Sequence, residues 1–181
     1  MQNTRKIHAL SKLLEHGCLG IAVLLVGFQL YFTLMIKLNP ALIMPVVTER
    51  AIANTIAAAE PLGYWLASLV FLLPTLALAY GIWHLSRMFN AFANGNYFTE
   101  QSVAHLLVFS FIGFATQLLG PVVHALAGLL GRLGKPENFL ELNITIDQEG
   151  IIQLIAWATF FVVAWIMREG TRLAKENAEF I

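Results

Sequence analysis

Four apolar runs, each long enough to cross a bilayer, alternate along this chain with short polar stretches. They are GCLGIAVLLVGFQLYFTLMI at 17–36, PLGYWLASLVFLLPTLALAYGIWHL at 61–85, SVAHLLVFSFIGFATQLLGPVVHALAGLLG at 102–131 and GIIQLIAWATFFVVAWIM at 150–167. No Asp, Glu, Lys or Arg falls within 17–36, 61–86, 101–131 or 150–167. An apolar helix of about 20 residues crosses the roughly 30 Å hydrocarbon layer. The third run exceeds that need and the fourth is the shortest. A transmembrane β-barrel would show short alternating strands instead. The pattern predicts an all-α membrane protein, a single membrane domain over 1–181 built as a bundle of four transmembrane helices.

The polar stretches set its direction. With the N-terminus inside, seven Lys and Arg lie on the inner side (Arg5, Lys6, Lys12, Arg87, Arg168, Arg172, Lys175) and four outside (Lys37, Arg50, Arg132, Lys135). The outer stretch around Glu137, Glu141, Asp147 and Glu149 is also net acidic. Positive charge retained inside predicts that both termini and the turn at 87–100 face the cytoplasm. Trp65, Trp83 and Trp165 fall near the ends of runs, as interfacial belts require. The basic start MQNTRKIHALSKLLEHG resembles a secretory leader, but the run behind it is longer than the 7–15 residues of a signal core. No small-x-small cleavage site follows, so it is expected to stay as a span. In the outer loop at 38–60, Asn39-Pro40 and Pro45 stop the first helix, and TERAIANTIAAAE is suited to a short surface helix capped by Thr48. In the second outer loop, 132–149, Leu140, Leu142, Ile144 and Ile146 alternate with polar residues, a strand-like period.

Composition narrows the chemistry. The 181 residues are 58% hydrophobic and only 12% charged, with eleven basic and eleven acidic side chains. Soluble domains carry about 25% charged residues, so lipid is the expected solvent, and nothing here is basic enough to hold nucleic acid directly. One cysteine, Cys18, excludes an internal disulfide and a CxxC pair and reads as a small apolar residue. HExxH and GxSxG are both absent. The spans hold no carboxylate for ion or proton coupling, which disfavours a small transporter subunit. His124, behind Pro121, reads as an interfacial histidine beside a kink; Gln29, Gln117 and Gln153 read as interhelical hydrogen-bonding groups. Glycines 17, 20, 27, 113, 120, 128 and 131 read as small faces for close helix packing.

The stretch NAFANGNYFTEQSVAH, 90–105, breaks the second helix and starts the third. Gly95 suits a left-handed residue at a helix C-terminus. Thr99 is placed to cap the next helix with Glu100 in its first turn, and Phe98 to staple toward Val103. An aromatic-rich helix end, then G-x-x-F-T-E before an apolar span, resembles the bacterial four-span membrane proteins of domain-of-unknown-function family 2975. REGTRLAKENAEFI, 168–181, is similar to that family's ending, G-x-x-L-x-x-E-N and a final aliphatic residue, through Gly170, Leu173, Glu176, Asn177 and Ile181. The chain departs from the family at Ala178, where an acidic residue is common, and at His105, where a basic one is. The resemblance implies an inner-membrane protein without an established activity, and a Cro-like helix-turn-helix regulator as a cytoplasmic partner.

Two surfaces compete for function. His16, His84 and His105 fall at one predicted level, where imidazoles from facing helices hold a haem or metal in some bundles; interfacial histidines give the same pattern. The turn and tail offer the other surface. If the fourth helix continues past Arg168, its charges pair at i,i+3 and i,i+4 while Leu173 and Ala174 turn inward toward Gly95–Thr99. That tail is then either a solvated helix end or a docking platform. The expectation is a non-catalytic sensing, anchoring or regulatory protein, without a cofactor, contacting a cytoplasmic partner through Gly95, Phe98, Thr99, Glu100, Gly170, Leu173, Glu176, Asn177 and Ile181. Homo-oligomers are compatible with it.

Overall fold

The computed structural model describes residues 2–39, 56, 59–96, 99–133 and 148–179. Among these residues there are four helices and no strand: α1 Gln2–Leu38, α2 Pro61–Ala93, α3 Glu100–Gly131 and α4 Gln148–Glu179. Each contains one of the four apolar runs. The shortest, of 32 residues, measures about 48 Å at 1.5 Å per residue, so every helix exceeds the hydrocarbon thickness, and each carries a polar stretch at one end or both. All four are long and apolar enough to cross a membrane. Residues 40–55 and 139–147, where a surface helix and an extended segment are expected, lie outside the described residues.

Local chemistry explains the extensions. α1 begins fifteen residues ahead of its apolar run because no Gly or Pro interrupts 2–16, and Lys12 pairs with Glu15 at 2.8 Å one turn on. α4 continues past Met167 through Arg172, which pairs with Glu169 and, at 3.7 Å, with Glu176. Pro74 and Pro121 both sit inside helices without ending them.

The chain divides into two compact units. One comprises 25–76 and 118–147. Its core is Ile56, Ala59, Tyr64, Ala67 and Ala127, flanked by Ile36, Val70, Phe71 and Leu130. The Tyr64 hydroxyl donates to the Thr33 carbonyl, and the Lys37 ammonium sits 4.9 Å from the Tyr64 ring centre. α2 and α3 meet there at backbone distance: a Cβ on Gly63 would stand 2.6 Å from the Leu130 carbonyl oxygen. His124, read from the sequence as interfacial, is half-buried with its ring 5.4 Å from Phe71.

The other unit comprises 1–24, 77–117 and 148–181. Small side chains fill its contacts, with Ser11, Ser86, Ser102, Ser110, Ala93 and Ala164 all buried. The Trp157 indole of α4 lies directly over Gly113 of α3 and meets Phe109 edge-on at 5.2 Å. Gly81 of α2 receives Ile112, 3.4 Å from where its Cβ would be. Of the glycines expected to form packing faces, only Gly113 is shown in close contact. Gly17, Gly20, Gly27, Gly120 and Gly128 look onto open space, because hydropathy reports depth along a helix and not which side faces a neighbour.

Large apolar side chains cover the outside. Val23, Leu24, Leu13 and Leu62 are each at least 70% exposed, and Trp65, Trp83 and Trp165 are exposed as interfacial rings would be. Only 6–11% of the most apolar stretch of each helix is buried. In water such a surface would be an aggregation site; helices with their backbone bonds closed internally tolerate it in lipid.

Candidate functional site

The turn between α2 and α3 is built by its own backbone. Gly95 adopts φ +82°, the one positive φ among the described residues. With Gly95 left-handed, the Asn96 N–H reaches the Ala91 carbonyl at 3.0 Å and the Gly95 N–H reaches the Phe92 carbonyl at 3.0 Å. That pair of bonds is the Schellman closure of a helix end. On the far side, the Thr99 hydroxyl accepts from the Ser102 N–H at 3.2 Å while the Ser102 hydroxyl accepts from the Thr99 N–H at 3.1 Å. This is a reciprocal capping box with serine in the place usually held by Glu or Gln, which is why Ser102 is missed by a search for S/T-x-x-E. Phe98 lies outside the described residues, while its expected partner Val103 is buried.

A second device closes the end of α2. His8 of α1 donates from Nδ1 to the Ala93 carbonyl at 2.7 Å, and Lys12 Nζ donates to Asn90 Oδ1 at 3.1 Å. The last carbonyls of a helix have no partner within it, and basic side chains favour that terminus. Neither His8 nor Asn90 is flagged by sequence reading. The available signal was the i,i+4 spacing of His8 and Lys12, which puts both on one face of α1.

The tail meets the turn, by a different route from the expected one. Lys175 Nζ donates to Glu100 Oε1 at 3.3 Å. Leu173 is 48% exposed rather than turned inward. Gly170, Glu176 and Asn177 are also exposed; the side chain of Ala174 and the residue Ile181 lie outside what is described. Because Lys175 and Glu100 are both well exposed, their pair contributes little stability. It marks the tail and the start of α3 as neighbours.

Two of the three candidate histidines come together. His84 and His105 join Nδ1 to Nδ1 at 2.8 Å, with ring centres 5.0 Å apart. His16 does not join them: it is exposed and bonds back to the Lys12 carbonyl at 2.8 Å. His84 is boxed edge-on by Tyr80 at 4.7 Å and Trp83 at 5.1 Å, and its Nε2 is buried without a hydrogen-bond partner. A buried N–H without an acceptor is the rarer and costlier state. We therefore assign the His84 proton to Nδ1, donating to His105 and leaving a bare lone pair at Nε2. Such a pair can share one proton or offer a nitrogen ligand. Among the described residues no group of three His, Cys, Asp or Glu could hold a metal ion.

Compared with known proteins, the chain matches no family model, no curated protein and no solved structure.

Proposed function

We propose that this chain is a multi-pass inner-membrane protein with both termini cytoplasmic, acting by contact with a cytoplasmic regulatory protein and not by catalysis. Four helices of membrane-crossing length and apolarity support the membrane reading, and the excess of Lys and Arg beside the termini supports the orientation. The observation that carries the contact reading is the Lys175–Glu100 bond. It makes neighbours of the turn and the tail, the two segments in which the resemblance to family 2975 resides. The two described ends of the turn are each closed by their own hydrogen bonds. Leu173, Glu176 and Asn177 of the tail are exposed, which supports a polar contact surface that is partly preorganised for binding.

Affinity purification from the native host in mild detergent tests this. The expected result is a stoichiometric cytoplasmic protein that accompanies the full chain and is lost from a truncation ending at Thr171 whose helical content is retained. Full-chain preparations without any such protein would overturn the reading.

The His84–His105 pair, with its bare buried nitrogen, favours a second reading as a haem- or metal-bearing membrane subunit. The same purified protein answers that question: haem would give it a Soret absorption band that His84→Leu removes.

A further inference from the structure

Arg87 lacks a carboxylate partner among the described residues, although carboxylates are present in its unit. Glu15 is held by Lys12, Glu100 by Lys175, and Glu169 and Glu176 by Arg172. The Arg87 guanidinium instead rests 5.0 Å from the centre of the Trp83 ring, and Trp83 stacks on Tyr80 at 5.7 Å with 21° between the planes. All three side chains are exposed, Trp83 at 38% and Tyr80 at 54%. Their spacing, i, i+3 and i+7, puts them on one stripe of α2.

We propose that Tyr80, Trp83 and Arg87 bind one anionic phospholipid, its phosphate on the Arg87 guanidinium and its glycerol and upper acyl chain along the two rings. The proposal rests on the membrane reading above. Charge, geometry and depth agree on this occupant. A guanidinium lying on a ring face keeps its N–H edges free, and that fork matches a phosphate in two bonds. Seven residues of helix separate Tyr80 from Arg87 by about 10 Å along the axis. The polar layer of a bilayer is about 5–8 Å thick on each side, so the stripe runs from headgroup level to the edge of the hydrocarbon. Tyrosine and tryptophan belong at that edge. With no carboxylate competing among the described residues, Arg87 favours a headgroup without its own ammonium.

Native mass spectrometry of the detergent-purified full chain tests the site, using equal amounts of phosphatidylglycerol and phosphatidylcholine with matched acyl chains. The expected result is one retained phosphatidylglycerol, reduced about tenfold by Arg87→Gln, as loss of a charge-assisted hydrogen bond implies. Arg87→Lys should restore part of it and Trp83→Leu should weaken it. Arg168→Gln removes another exposed cation that has no carboxylate partner among the described residues, and it should leave retention unchanged. Equal retention of both lipids overturns the proposal, and so does an equal loss in Arg168→Gln, which would mean diffuse charge. Displacement by millimolar inorganic phosphate would identify a free-anion site and overturn it also. Circular dichroism of each variant separates these outcomes from misfolding. A chain that fractionates with soluble proteins would sink the membrane reading itself; a membrane-extracted chain without lipid preference sinks only this site.

Discussion

Gly95, Gly113 and Gly20 respond differently to one added methyl group. At Gly95 the backbone is left-handed, φ +82°, so alanine there is strained by about 1–2 kcal/mol. At Gly113 the new Cβ would enter the Trp157 indole, and overpacking of that kind costs about 1–3 kcal/mol. Gly20 faces open space within α1, where alanine gains up to about 1 kcal/mol of helix propensity. Denaturant titration in mixed micelles should therefore rank Gly20→Ala at or above the parent, with Gly95→Ala and Gly113→Ala below it. A Gly95→Ala protein as stable as the parent would contradict the closure described for the turn. Gly95 was legible because a polar glycine between two apolar runs has few other uses. Gly113 and Gly81 were indistinguishable from the open glycines, since a contact partner on another helix leaves no mark in the local pattern.

Between elements, the imidazole pair is the clearest tie from α2 to α3. His105→Leu leaves the His84 Nδ1–H without its acceptor, a loss of about 1–3 kcal/mol. Replacing both rings removes donor and acceptor together, so the double leucine variant should be less destabilised than the sum of the single ones. A double-mutant cycle giving a coupling of about 1 kcal/mol or more is the expected outcome; additive losses would mean the rings merely pack. Counting along the apolar runs suggests one level for His84 and His105, and the structure shows the two rings in contact. His16 is expected at the same level, but its exposed side chain bonds back within α1. Depth follows from the count of apolar residues, whereas direction around a helix axis depends on which faces pack. The tail shows the same limit. Its charge pairs were legible as i,i+3 and i,i+4 spacings, but the Lys175–Glu100 bond spans 75 residues and has no local signature.

At the scale of the whole molecule, the four apolar runs each became a helix because nothing within them interrupts backbone hydrogen bonding except two tolerated prolines. Orientation is a separate matter, set by charge counts, and it makes its own prediction. In a Cys18→Ala background, the proposed orientation predicts that an impermeant thiol reagent labels Lys135→Cys from outside intact cells or spheroplasts and Asn96→Cys only in inverted vesicles. The reverse pattern would invert the proposed orientation. The bonds from α1 to the end of α2 have a consequence in time. His8 precedes its partner Ala93 by 85 residues and Lys12 precedes Asn90 by 78. A ribosome must finish both helices before either bond can form. The docking of His8 and Lys12 on the end of α2 therefore registers that the first helical pair is complete.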